Sequence, residues 1–298
     1  MKILACIVTF NRAALLERCV DAVRAQTRPP DRLLVINNGS TDGTVSMLDA
    51  KGVDCLTQDN VGSAGGWARS IAEAQEGGYD AVWLMDDDGF PAPDALALLE
   101  RHLTGDRVCV SSVVLREDDP SHFVFPFPLL NRNGWPVLFA RPRKIPTLEA
   151  LRPLAKDGLY PFAHLFNGAL LSVAATRRIG NVNRDYFLFG DEVDYFARMR
   201  QLGPVLSHLD AHHLHPDVSQ RELNQTKVYY YVKNTLILNK RYHDLAPVRN
   251  AATPLVALAR VAARNSPAEA LSYVIGKRAP ILWKAVSRGL TDRIGKDL

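Results

Sequence analysis

Three consecutive carboxylates, Asp86-Asp87-Asp88, close the apolar run Ala81-Val82-Trp83-Leu84-Met85, and a glycine follows. Like charges in a row repel one another, so a chain that gathers them usually supplies a cation to neutralise them. The run reads as a buried strand, so the acids project where a strand stops and a loop begins. In open α/β sheets ligands bind outside the carboxyl ends of the strands. The chemistry this pattern favours is a divalent metal holding an anionic substrate. A solvated acidic turn is the plainer alternative.

Other polar residues gather at the ends of neighbouring apolar runs: Thr9 and Asn11, then Asn37, Asn38 and Asp42, then Asn60 with Gly62, Gly65 and Gly66. Asn and Asp can read a nucleobase edge and ribose hydroxyls, and glycines let a backbone approach a bulky ligand closely. Each segment alone is also ordinary turn chemistry. Their recurrence on successive strand ends is what points to a site. A second acidic group, Asp191, Glu192 and Asp194, follows the aromatic run Tyr186-Phe187-Leu188-Phe189 and precedes a helical pattern. Acids at a helix start complement its dipole, and a carboxylate there could also serve as general base toward an acceptor hydroxyl. His208, His212, His213 and His215 lie within eight residues, near Asp210. Their spacing matches no zinc signature; an imidazole joining carboxylates suits Mn²⁺ or a similar ion.

The elements that must position these residues follow from hydrophobic patterning. Continuous apolar runs at residues 3–10, 33–36 and 80–85 read as strands covered on both faces. Helices are expected from about 13 to 26, from 41 to about 50, from 67 to 76 after a glycine-rich loop at 60–66, and from 93 to 103. A weak strand is expected at 53–58 and a further one at 108–115. Alternation of strands and helices over the first 115 residues predicts an α/β fold with a doubly wound, mostly parallel sheet. Residues 116–165 hold eight prolines and read as irregular, substrate-facing structure. A sheet-like run resumes at 166–173, a helix is expected from 193 to 201, and the tail from about 226 is helical.

With 298 residues, 47% hydrophobic and 23% charged, the chain has the composition of an ordinary globular protein. No apolar stretch approaches the roughly 18–20 residues that span a bilayer, and the N-terminus lacks a signal-peptide layout. Cys6, Cys19, Cys55 and Cys109 form no CxxC pair; they read as free thiols of a reducing cytoplasm. From Lys240 onward eleven Lys and Arg face four Asp and Glu, a net of +7, so the first 239 residues carry −3 of the overall +4. A slightly acidic body excludes a basic nucleic-acid-reading face. The basic tail suits anionic surfaces.

Four segments occur in order: Ile7-Val8-Thr9-Phe10-Asn11-Arg12, Asn37 through Thr44, Asn60 through Gly66, and Trp83 through Asp88. Together they resemble the nucleotide-sugar half of the family 2 inverting glycosyltransferases, which have the GT-A fold. Phe166-Asn167-Gly168-Ala169 and Gly190 to Tyr195 resemble the acceptor half. The Asn-x-Gly-x-x-Gly-Gly segment, the triple Asp, the Asp-Glu-x-Asp-Tyr stretch and Tyr229 through Asn234 look most like the galactofuranosyl- and rhamnosyltransferase branch. Lys233 stands where that branch usually has Arg, which keeps the charge and loses the bidentate fork.

The resemblance implies a Rossmann-like GT-A catalytic domain over 1–240, with a nucleotide-sugar half at 1–115 and an acceptor half at 116–240, and a basic helical segment at 241–298. It implies base and ribose contacts from Thr9, Asn11, Asn38 and Asp42, and a donor pocket lined by Asn60, Gly66, Asp86 and Asp87. Asp86 and Asp88 match the metal-binding DxD pair, for Mn²⁺ or Mg²⁺. His215 is similar in placement to the later metal-ligand histidine, with His213 as rival. Glu192 matches the usual base, with Asp191 as rival. The implied reaction is metal-dependent transfer of galactofuranose or rhamnose, with inversion, from a UDP- or dTDP-linked donor to a glycan or lipid-linked glycan in cell-surface polysaccharide synthesis. The protein would be cytoplasmic, on the inner face of the membrane through its tail, with room for an oligomer and none for nucleic acid. A nucleotidylyltransferase would need a basic glycine-rich first loop, which Thr9-Phe10-Asn11-Arg12 is not. A nucleotide-sugar-binding or scaffold protein without transferase activity is the remaining alternative.

Overall fold

The computed structural model describes residues 1–219 and 221–298. The chain divides into two compact units. The first comprises Met1–Val182 and Tyr195–Asp217, the second Asn183–Asp194 and Val218–Leu298.

The first unit is built on one large sheet. Its strands in chain order are β1 (Ile3–Thr9), β2 (Arg32–Asn37), β3 (Asp54–Thr57), β4 (Ala81–Asp86), β5 (Phe90–Pro91), β6 (Cys109–Arg116), β7 (His122–Pro128), β8 (Lys144–Thr147), β9 (Leu159–Tyr160), β10 (Asn167–Ser172) and β11 (Val205–His215). The helices between them are α1 (Ala13–Arg24), α2 (Thr44–Ala50), α3 (Gly62–Glu76), α4 (Ala95–His102), α5 (Leu148–Leu151) and α6 (Val173–Ile179). The main strand order is β3-β2-β1-β4-β10-β6-β11-β5. β3, β2, β1 and β4 run parallel, and β11 runs parallel to β6. β10 enters antiparallel between β4 and β6.

Both faces of the parallel strands are covered, and period-2 alternation sorts their side chains between two cores. Leu4, Cys6 and Val8 of β1 pack with Trp67, Ala68 and Ile71 of α3. Ile3, Ala5 and Ile7 pack with Leu16, Val20 and Val23 of α1 and with Leu96 and Leu99 of α4. The register ends the central strands together: Thr9 pairs with Asn37, and Val8 with both Ile36 and Asp86. The polar residues after these strands therefore share one edge of the sheet.

Two expectations change. The segment at 60–66 is not a loop ahead of a helix at 67. α3 starts at Gly62, so Gly65 and Gly66 lie in its first turns. A Cβ at Gly66 would come 2.5 Å from Val8 Cγ1 and 3.3 Å from Asn38 Nδ2. The glycine thus lets the helix rest directly on the end of β1. Residues 116–165 are not simply irregular. They form β7, β8, β9 and α5 around a small core of Phe123, Phe127, Ile145, Leu151 and Tyr160. Pro126 lies inside β7, where the pairing with β8 shifts register between His122 and Phe127, as expected of a residue that cannot donate to a ladder. The four cysteines are free, and burial pushes the Cys6 thiol up to about 12.

The second unit contains the start of α7 (Asp191–Met199), whose later residues belong to the first unit, and four further helices: α8 (Gln225–Tyr242), α9 (Ala246–Arg264), α10 (Pro267–Ile275) and α11 (Ala279–Leu290). Tyr229, Tyr230, Val232 and Leu236 of α8 pack with Ala257 of α9 and Ala285 of α11. The buried line of α9 is Thr253, Ala257 and Val261, an i, i+4, i+8 row. Leu255 lies off this row and is 67% exposed. No helix among the described residues is long and apolar enough to cross a membrane.

Candidate active site

The strand ends of the first unit carry a connected polar network. Asp87, buried just after β4, accepts from the Thr9 hydroxyl at 2.7 Å and from Arg12 Nη1 at 3.0 Å. The same Arg12 nitrogen lies 2.7 Å from Asp88 Oδ2. Asp88 Oδ1 in turn lies 2.9 Å from His215 Nε2 at the end of β11. Burial raises the Asp87 carboxyl above the usual carboxylate range, although its bonds to Thr9 and Arg12 oppose the shift. Arg12, the cation spanning two of the three acids, goes beyond its place in the Thr9–Arg12 motif, and the like-charge run is the sequence signal that calls for such a cation.

His215 has a definite electronic orientation. Its Nδ1 donates to the Pro216 carbonyl at 2.7 Å, so Nε2 is the ring nitrogen that faces the Asp88 carboxylate. A ring nitrogen that donates to a backbone carbonyl while the other faces outward is also the usual setting of a metal-binding histidine. His213 differs. It is fully buried, neither ring nitrogen has a hydrogen-bond partner, and burial with the neighbouring His215 pushes it down to about 3. The other histidines serve the scaffold: His208 packs on His102, with ring centroids 4.3 Å apart, and His212 Nε2 donates to Leu209 O. Asp86 ends β4, but among the described residues no three His, Cys, Asp or Glu side chains close into a metal cluster. The structure joins Asp88 to His215 and does not complete a three-ligand set with Asp86.

The remaining residues of this edge hold its loops in place. Asn11, at φ 54, accepts on Oδ1 from Thr41 N at 2.7 Å, and its backbone N–H donates to Ser40 Oγ. Asp42 accepts from Ala13 N and Thr44 N. Asn38 accepts from Gln58 and donates to Gly62 O, and Asn60 accepts from Gly62 N. These bonds tie the ends of β1 and β2 to the start of α3.

In the second unit, Asp191 and Glu192 begin α7. Asp191 is 5% exposed and Glu192 half-buried. Asp194 is committed to the scaffold, accepting from Tyr242 OH at 2.7 Å. The approach to this helix is backbone-strained: Phe189 has φ 57 and Gly190 φ 107. Asn234 of α8 holds that approach, its Nδ2 donating to Leu188 O at 2.9 Å and Phe189 O at 2.6 Å. The neighbouring Lys233 is fully buried and paired with Asp297 Oδ1 at 2.7 Å.

Comparison with known proteins places this geometry in a family. The model of glycosyl transferase family 2 matches residues 5–127, which contain the polar ends of β1, β2 and β4 and the start of α3. Galactofuranosyltransferase GlfT1 of Mycobacterium tuberculosis (strain H37Rv) is 37% identical over 227 residues, 72% of this chain and 70% of the relative. The chain belongs to glycosyl transferase family 2. GlfT1 of Mycolicibacterium smegmatis is 33% identical over 220 residues, 71% of this chain and 70% of its own. The O-antigen chain rhamnosyltransferase RfbN of Salmonella typhimurium is 33% identical over 93 residues, 31% of this chain and 30% of its own. Among solved structures, a Pyrobaculum calidifontis mannosyltransferase in complex with GDP-Man and Mn²⁺ superposes with a TM-score of 0.56 at 18% identity, covering 98% of this chain and 86% of that one. That likeness confirms the GT-A fold. The family 2 chain is a glycosyltransferase with galactofuranosyl- and rhamnosyltransferase relatives.

Proposed function

We propose that this family 2 glycosyltransferase transfers galactofuranose or rhamnose, with inversion, from a UDP- or dTDP-linked donor to a glycan or lipid-linked acceptor. The observation that carries the reading is the Arg12–Asp88–His215 arrangement at the sheet edge. The residues present fit a divalent cation: His215 Nε2 lies beside the Asp88 carboxylate, and ions of the Mg²⁺ type are commonly held by one or two carboxylates with substrate phosphates completing the shell. Asp88, His215 and Asp86 would hold the ion, with His213 too enclosed to compete. When bound, it would act as a Lewis acid on the departing diphosphate.

The chain's own residues supply the rest. Thr9, Asn11, Asn38 and Asp42 are proposed to receive base and ribose, and Asn60 and Gly66 to line the donor pocket. Asp87 keeps Arg12 and Thr9 in place beneath it. Glu192 is proposed as the base that takes the acceptor proton while the hydroxyl attacks the anomeric carbon from the face opposite the leaving group. One displacement then inverts the centre. Glu192 is favoured over Asp191 because it is the less buried of the two. The basic tail is proposed to contact an anionic membrane surface from the inner face.

Ligand binding to the native state raises its apparent stability. In a panel of UDP-, dTDP- and GDP-sugars with Mn²⁺, a UDP- or dTDP-sugar should raise Tm, and the rise should vanish on chelation. A response to GDP-sugars alone, or to none, would reject the donor assignment.

A further inference from the structure

The second unit contains a pocket that the transfer reading leaves unused. It is lined by Lys227, Val228 and Tyr231 of α8, Arg260 and Arg264 of α9, and Phe189. Its cavity volume is about 100 Å³, smaller than the ~300–1,000 Å³ of sites that enclose a whole small molecule, so it can take one charged group of a ligand that extends outside. The lining carries three cations and, among the described residues, no acid. Arg260 and Arg264 lie one turn apart on one helix face. Arg260 is set by its guanidinium lying 4.7 Å over the Tyr231 ring. Phe189, whose carbonyl Asn234 holds, is two residues from Asp191 and three from Glu192. A site with this charge beside that segment suits an anion on the acceptor side.

We propose that this pocket receives a phosphate or diphosphate group carried by the acceptor, so that the acceptor's sugar hydroxyls reach the segment bearing the base; this rests on the transferase reading above. Guanidinium groups match phosphate oxygens through paired hydrogen bonds, and lysine adds a point charge. Phe189, 40% exposed, gives an apolar surface beside the pocket on which a lipid chain can lie.

The test is calorimetric titration of the full chain with inorganic pyrophosphate and with farnesyl diphosphate, repeated on Arg260→Gln and Lys227→Gln. Both probes should bind, and each variant should bind roughly tenfold more weakly, the loss expected of one charge-assisted contact. Tighter binding of farnesyl diphosphate identifies a lipid-linked source of the group, and equal binding a soluble one. Arg260→Lys should recover part of the affinity, and Lys227→Gln carries the test alone if Arg260→Gln does not fold. Unchanged affinity in both natively folded variants, or no binding to the parent chain, overturns the proposal. Transfer to a neutral glycoside with unchanged diphosphate affinity would reject the pocket alone. Diphosphate binding lost in the variants, with no transfer from a UDP- or dTDP-linked donor, would reject the proposed donor assignment alone.

Discussion

At the scale of single residues, the acids separate by what they touch. Asp87 is bonded to Thr9 and Arg12, Asp194 to Tyr242, and Asp88 faces His215. Asp87 and Asp88, adjacent and alike in sequence, thus differ in surroundings, and contacts brought by Thr9, Arg12 and His215 distinguish them. The residue types and their strand-end positions were legible from the sequence; the partition was not, because Arg12 and His215 are far from Asp88 along the chain. The two candidate bases separate in the same way. Glu192→Gln should keep donor binding, read as an unchanged donor-induced Tm shift, and lower transfer by about 10²–10⁴-fold, the usual cost of losing a general base. Should Asp191→Asn cause the large loss and Glu192→Gln a small one, the base moves by one residue.

At the scale of elements, hydrophobic patterning predicted the parallel half well, because strands buried on both faces read as unbroken apolar runs. Strand direction was beyond it. β10 reads like any other buried strand, yet enters antiparallel between β4 and β6, a choice made by chain connectivity. The α3 start was also misplaced. Three glycines in five residues look like a loop, and here they let a helix approach β1. Gly66→Ala tests that reading. The added methyl must displace Val8 or Asn38, at a cost of about 1–3 kcal/mol typical of overpacking. Urea unfolding should show this loss together with weaker nucleotide-sugar binding, whereas a stable variant with normal binding would remove the close approach from the account.

At the scale of the whole molecule, the tail is more than a charged appendage. Its helices α9 and α11 cover the apolar face of α8, and several of its cations are paired internally, as Arg278 is with Glu269 and Lys240 with Asp292. Deleting 245–298 would therefore uncover a core and is a poor test of membrane contact. The exposed apolar residues Leu271, Ile275 and Trp283, the last two 78% and 69% exposed, with Lys277 nearby, are the better targets. Co-sedimentation with vesicles should require anionic lipid, since each nearby Lys or Arg contributes about 1 kcal/mol, and should fall with salt. Ile275→Ser with Trp283→Ser should weaken it, and equal sedimentation of variant and parent would exclude this face. The central claim is inverting transfer at the Asp88–His215 edge, and its most direct test is the anomeric configuration of the product. NMR of the product formed from UDP-galactofuranose or dTDP-rhamnose with Mn²⁺ should show configuration opposite to the donor's, with no product from Asp88→Ala. Retained configuration, or near-normal metal-dependent turnover by Asp88→Ala, would contradict the account.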